Sequence, residues 1–343
     1  MHPALTALLA GRPVPLEAWR TWWDQLEQRT PGPARDSDRA QAAALLACLT
    51  TRLPDPATLT ALTTSLTERS PHPGTPVDGS VNIVGTGGGP ATLNLSTAAA
   101  LTAAAIGIPV VKTGSRAYTS AAGSVDLLER LGITLTTSHT HTADHLADHG
   151  IAFAGPHVYP PQLTRLARTL YPLTLKPFGH FLNTLGPLLA TVPVTAQLTG
   201  VSHTAPLDAL RRLAAHTPAR AVWLAANPAG ADELLPFTDN TLHTPDTTIH
   251  LTAGSVAPAT GSLADLAPRP DHLTEHFLTA LEGRAHPTTT HTIALNAAAL
   301  ALASGRHTHW HTAYHQALDA LADGTPRTLT ERLRTRHQAA THA

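Results

Sequence analysis

Lysine is almost missing from this chain of 343 residues: it occurs at Lys112 and Lys176 and nowhere else. Cysteine is scarcer still, with Cys48 alone, so an intramolecular disulfide framework and a cysteine-based metal site are both excluded. Charged residues make up 14% of the sequence and the formal net charge is -1. Without a polybasic stretch, neither a nucleic-acid-binding surface nor a membrane-binding one is encoded. No apolar run reaches the ~18 residues needed to span a bilayer, and the start lacks a basic segment followed by a long apolar stretch. These absences lead to the expectation of a cytoplasmic protein whose partners are small molecules. Cys48 lies inside the apolar run 42–49 and is expected to be buried as a small hydrophobe.

What is abundant is threonine, alanine, histidine and proline, with arginine taking most of the basic positions. A lysine that survives such a bias calls for a chemical explanation. The length suffices for a large core and favours two domains over one. Leu16, Trp19, Trp22, Trp23 and Leu26 repeat at helical spacing, as do Leu59, Leu62 and Leu66, so the first seventy residues read as helices. The tryptophan stripe is read as core or dimer contact. A Pro- and Gly-rich linker spans 70–78.

Beyond the linker, short β-branched runs alternate with longer helical ones. Strands are expected near 81–84, 110–111, 152–153, 221–225 and 247–251, with helices over 96–106 and 124–131. A buried helix is expected at 292–303 and a polar tail at 328–343. The fold class is therefore α/β: a small N-terminal helical domain over 1–70, joined in space by part of 160–195, and a larger α/β domain over 78–343 with a mainly parallel central sheet.

Three segments carry chemistry. Gly85, Thr86, Gly87, Gly88 and Gly89 follow a predicted strand and, through Thr92, Asn94, Ser96 and Thr97, open a predicted helix. In that context glycines let the backbone approach an anion that free N–H groups and the helix dipole favour, although such a turn also serves as plain punctuation and the polar residues as N-caps. The spacing fits neither a nucleotide P-loop nor the dinucleotide fingerprint. Lys112, Ser115, Arg116, Ser120 and Ser124 then place two cations and several hydroxyls on one strand-to-helix loop, suited to a polyanion. Asp232 and Glu233 form an acidic pair after the expected strand at 221–225; such a pair is either a solvated helix start or part of a magnesium site completed by substrate oxygens.

In this order, the three segments resemble the anthranilate phosphoribosyltransferases and, more loosely, the related nucleoside phosphorylases. That family shows a Gly-Thr-Gly-Gly-Asp loop running into Asn-x-Ser-Thr, a Lys-His-Gly-Asn-Arg loop running into a Ser- and Gly-containing helix start, and a later Asp-Glu pair. Phe181 with Asn183, Thr184, Leu185, Gly186, Pro187 and Leu188, and the run from Gln197 to Val201, continue the likeness over nearly the whole chain. The resemblance implies that Gly85, Thr86, Gly88, Gly89, Thr92, Asn94, Ser96, Thr97, Lys112, Ser115, Arg116, Ser120 and Ser124 line a phosphoribosyl pyrophosphate site. It implies that Lys112 and Arg116 act in catalysis, and that Asp232, Glu233 and Ser96 hold Mg2+. An aromatic amine such as anthranilate is the implied acceptor, met by Arg168, and the implied assembly is a homodimer through the helical domain.

The departures fall near the ligands. Gly89 replaces the family's Asp, Thr113 and Ser115 replace the His and Asn of the acceptor-side loop, and Tyr159 stands where the family has His. They keep three alternatives open: the same donor with another acceptor in specialised metabolism, a nucleoside phosphorylase-like enzyme, and a binder that has lost turnover. The histidine groups at 139–145 and 307–315 have metal-compatible spacing, but 22 histidines spread through polar stretches read as solvated surface.

Overall fold

The computed structural model describes residues 1–28, 35–116, 123–217 and 219–341. Two compact units result: Met1–His72, His157–Thr191 and Asp208–His216 form the first, and Pro73–Pro156, Val192–Leu207 and Thr217–Ala343 the second.

The chain begins with α1 (Pro3–Leu9), α2 (Leu16–Glu27), α3 (Asp36–Thr51) and α4 (Pro56–Thr67). In α2 the residues Trp19, Trp22, Trp23 and Leu26 are all buried, one stripe at helical spacing. Trp19 and Trp23 stack at 6.3 Å, and the Trp23 indole donates to Ser65 Oγ of α4 at 2.9 Å. Asp55 caps α4 by accepting from Thr58 N at 3.0 Å, with Pro56 pre-set for the first turn. The buried stripe of α3 is Ala42, Leu45, Leu46 and Leu49; Cys48 flanks it and is partly exposed, so the expectation of a fully buried thiol is corrected.

The second unit opens with β1 (Val81–Gly85), α5 (Leu95–Ala105), β2 (Val110–Lys112), α6 (Ser124–Leu131), α7 (His139–His149) and β3 (Ile151–Phe153). The chain returns to the first unit for α8 (Pro161–Leu170) and α9 (Gly179–Leu189), which pack on α2, α3 and α4. It then supplies β4 (Ala196–Gly200), α10 (Leu207–Ala215), β5 (Ala221–Ala226), β6 (Asn240–His243) and β7 (Thr248–Leu251). The last helices are α11 (Leu273–Ala280), α12 (Pro287–Ala303), α13 (Trp310–Ala322) and α14 (Thr325–Thr341).

The sheet runs β3-β2-β1-β4-β5-β6-β7; the first five strands are parallel, and β6 and β7 add an antiparallel edge. β1 and β4 are buried along their length, as expected of central parallel strands covered on both faces. Their covering helices are apolar all round: nearly every residue from Leu95 to Ala103 of α5 and from Thr292 to Ala301 of α12 is buried. Strand order reverses between β1 and β4, so the crevice beyond the carboxyl ends of these strands is where an α/β sheet leaves room for a ligand.

Two local expectations are corrected. The polar tail is helical from Thr325, because Leu329 and Leu333, four residues apart, bury themselves as α14 packs on α5 and α13. β4 and β6 both fall outside the expected strands: Ala-Gln-Leu-Thr-Gly and Asn-Thr-Leu-His have weak strand character, β4 being held by pairing with β1 and β5, and β6 by Asn240, whose side chain accepts from Leu235 N at 2.9 Å and donates to Leu235 O at 2.7 Å. Among the described residues no helix is long and apolar enough to cross a membrane.

Candidate active site

The glycine turn leaves β1 at its carboxyl end. Gly87 and Gly88 both take left-handed backbone angles, at φ 65° and 78°, which a side chain would strain. The turn is held on one side by Ser202, just beyond β4: Ser202 N donates to Thr86 Oγ1 at 3.0 Å and Ser202 Oγ to Gly87 O at 2.6 Å. On the other side Asp232 Oδ2 accepts from Gly87 N at 2.9 Å.

The acidic pair is seated by missing side chains. A Cβ on Gly85 would lie 2.0 Å from Asp232 Oδ2, and one on Gly200 only 1.7 Å from Asp232 O. The glycine ends of β1 and β4 thus make the socket for this segment. Asn227 braces it from behind, donating to Ala231 O at 3.2 Å and Glu233 O at 2.8 Å. Asn296 of α12 closes both backbone groups of Leu234, accepting from its N–H at 3.0 Å and donating to its C=O at 2.9 Å. Glu233, 7% exposed, accepts from Thr92 Oγ1 at 3.0 Å through one carboxylate oxygen, while Oε2 is buried with no hydrogen-bond partner.

Lys112 enters from the end of β2. It is 3% exposed, and its ammonium donates to Ile83 O and Thr113 O, both at 3.1 Å. Burial pulls its pKa down to about 8, against the opposing pull of the Asp232 and Glu233 charges. Burial likewise pushes the Asp232 carboxyl up, opposed by the Gly87 N–H, and it pushes Glu233 well up, aided by the neighbouring Asp232 charge. One basic group and two carboxyl groups therefore share a low-dielectric crevice at the ends of β1, β2 and β5, beside the glycine turn.

Other expected positions are distributed differently. Thr86 and Thr92 turn toward Ser202 and Glu233. Thr97 is buried in α5 with Oγ1 unpartnered, while Asn94 and Ser96 stand half-buried at the start of that helix. Ser124 opens α6 against Gly114, where a Cβ would approach its Oγ to 2.0 Å. Ser115, exposed, accepts through its carbonyl from Val125 N at 3.4 Å. Arg116 is 64% exposed and pairs with Glu129 at 2.5 Å and Asp126 at 3.1 Å, both on α6. Ser120 lies outside the described residues. Arg168 is exposed on the last turn of α8, in the helical unit.

Thr113 faces inward. Its N–H and hydroxyl bond Asn82 of β1 at 3.0 to 3.3 Å, Asn82 donates to Gln197 of β4 at 3.0 Å, and Arg220 donates to the same Gln197 oxygen at 2.9 Å. This buried polar ladder beneath Lys112, like Ser202, Asn227 and Asn296, was not anticipated from sequence. The available signal was a lone amide in an otherwise apolar element, as with Asn82 in β1 and Asn296 in α12. The histidines of α7 line up, with His141, His145 and His149 rings 4.6 and 5.4 Å apart. Among the described residues no three His, Cys, Asp or Glu side chains are grouped to hold a metal ion.

A parallel sheet with an acidic pair, a buried lysine and a glycine turn at its carboxyl edge defines a glycosyl-transfer domain: residues 78–327 match the model of the glycosyl transferase family, a/b domain. An anthranilate phosphoribosyltransferase of Aeromonas hydrophila is 30% identical over 100% of this chain and 99% of its own length. That of Methylorubrum extorquens is 32% identical over 68% of this chain, a stretch spanning 66% of the relative. The crystal structure of the Thermus thermophilus enzyme superposes with a TM-score of 0.78 at 27% identity, covering 98% of this chain and 100% of that one. The Saccharomyces cerevisiae enzyme, solved with phosphoribosyl pyrophosphate and magnesium, shares the fold at a TM-score of 0.77 and 21% identity, covering 94% and 92%. The chain belongs to the anthranilate phosphoribosyltransferase family.

Proposed function

We propose that the protein transfers the 5-phosphoribosyl group of phosphoribosyl pyrophosphate to the amine of anthranilate and releases pyrophosphate, a step of tryptophan synthesis. The observation that carries this reading is the convergence of Lys112, Asp232, Glu233 and the glycine turn on one crevice. As the bond from ribose C1 to pyrophosphate loosens, negative charge builds on the leaving group. A preorganised cation and oriented amides in a desolvated site are worth most at that moment. Lys112 supplies the cation, and the glycine turn held by Ser202 and Asp232 lets the leaving group approach the backbone closely. The aromatic amine needs orientation more than a strong base, which suits a crevice lined by carboxylates and hydroxyls.

The residues fit a magnesium ion. Glu233 Oε2 is a buried acceptor without a partner, and burial holds both carboxylates toward protonation, so a divalent cation supplies the compensation they lack. Asp232 and Glu233 would hold it, with the half-buried Ser96 as a further oxygen. Bound there, the ion neutralises charge on the pyrophosphate oxygens. Thr92 keeps Glu233 in place, and Gly87 N–H does the same for Asp232. Gly85, Gly88, Gly89, Asn94, Ser115, Ser120 and Ser124 are proposed to complete the donor site, and Arg168 to meet the acceptor carboxylate. Arg116 joins as a donor-side cation once its pairs with Glu129 and Asp126 open. The same reading assigns a homodimer, which light scattering tests.

The direct test is incubation with phosphoribosyl pyrophosphate, magnesium and a panel of aromatic amines. Mass spectrometry should find the ribosyl-phosphate adduct of anthranilate with one pyrophosphate released per adduct. Adducts with other amines and none with anthranilate would overturn the acceptor, and absence of any adduct would overturn the activity.

A further inference from the structure

Away from the donor crevice, the second unit contains a cleft of about 570 Å³ between residues 264–269, the face of α11 and the approach to α12. That volume is within the range of small-molecule sites. Its acidic side chains are already engaged. Asp265 accepts from Ser262 N at 2.7 Å and faces His286 Nε2 at 3.7 Å, while Glu275 faces His272 at 3.5 Å. Arg284 is paired with Glu282. Two groups are left over, and both are nitrogens: among the described residues the Arg269 guanidinium has no side-chain partner, and His276 Nδ1 is buried without a hydrogen bond. They are neighbours, since the Arg269 charge adds to burial in holding the His276 imidazole below its ordinary pKa. The exposed Arg269 guanidinium and the His276 ring thus line one cavity in which the nearby carboxylates already face histidines.

We propose that this cleft binds the oxyanion group of a small molecule, a phosphate or a carboxylate, between Arg269 and His276, at a site separate from the donor crevice. Arg269 provides a forked pair of donors, the His276 ring forms the wall beside it, and the remaining volume takes the body of the ligand. Leu266, buried between the lining residues Asp265 and Ala267, accepts from Leu93 N at 2.8 Å.

The experiment follows the imidazole C–H resonance of His276, assigned by its disappearance in His276→Gln, in the full chain without magnesium. Inorganic phosphate and succinate are the two probes, and the one that moves the signal at lower concentration identifies the oxyanion. This local reporter separates the cleft from phosphate bound beside Lys112. A saturable shift is expected, weakened roughly ten-fold or more in Arg269→Gln, the loss of one charge-assisted hydrogen bond. Arg269 is exposed, so the variant should fold, and Arg269→Lys should retain intermediate binding. A resonance that moves with neither probe, moves without saturating, or moves equally in Arg269→Gln overturns the proposal.

Discussion

Replacing Lys112 by methionine separates the cost of burying an ammonium from its use. Lowering the pKa from its ordinary 10.5 to about 8, at about 1.4 kcal/mol per pH unit, corresponds to about 3 kcal/mol spent on keeping the charge in the crevice. Methionine removes that cost but also removes the donor to Ile83 O and Thr113 O, worth about 1.5 kcal/mol or more each when the donor is charged. At neutral pH the two nearly cancel, and denaturant unfolding should place the variant within about 1–2 kcal/mol of the parent. The sign of the pH dependence follows from the lowered value. Below about 8 both folded and unfolded lysine are charged and the penalty is full; as pH rises from there toward 10.5 the folded group is already neutral, and the penalty is relieved. The parent should therefore gain on Lys112→Met by about 3 kcal/mol across that window. Turnover should fall by about 10²–10³-fold, as for removal of one preorganised charge donor. Near-parental turnover would remove Lys112 from the chemistry. A stability difference that stays flat between pH 7 and 10.5 would refute the account of its burial.

Gly85→Ala drives a methyl into Asp232 Oδ2; overpacking of this kind costs about 1–3 kcal/mol, and magnesium affinity by calorimetry should drop with it, whereas unchanged affinity would mean that Asp232 does not hold the ion. Gly89→Asp restores the family carboxylate in sequence only, because the new Cβ would sit 2.8 Å from Gly230 O and 3.1 Å from Ser202 Cβ; a lower melting temperature without a gain in turnover is expected, and a stable, faster variant would show that the turn has room. Because burial raises both Asp232 and Glu233, the folded pair keeps protons that the unfolded chain has lost once pH passes the ordinary carboxylate range. Without magnesium, stability should accordingly fall as pH rises from that range through the raised values. The double variant Asp232→Asn with Glu233→Gln should flatten this slope in chemical unfolding, and an unaltered slope would place the titration elsewhere.

Much of the architecture follows from local pattern. Tryptophans and a leucine at helical spacing define α2, β-branched pairs mark β1 and β2, and the alternation of the two patterns yields a covered parallel sheet. Three chemical segments were legible too, since glycines after a strand, a rare lysine and paired carboxylates are residue types with few other uses together. Where their side chains point was not legible. Thr86 and Thr92 read as ligand contacts, yet they turn to Ser202 and Glu233, more than a hundred positions along the chain. Thr113 turns to Asn82 beneath the sheet edge, and Arg116 to α6. Sequence by itself determined the secondary structure of most of the sheet and the chemical inventory of its carboxyl edge, because periodicity and residue type are local properties. Only the tertiary structure decided which groups meet, how deeply Lys112, Asp232 and Glu233 are desolvated, and that Gly85 and Gly200 are bare to seat the acidic segment. Those outcomes depend on strand order and on atoms approaching from distant parts of the chain, and no short-range pattern encodes them.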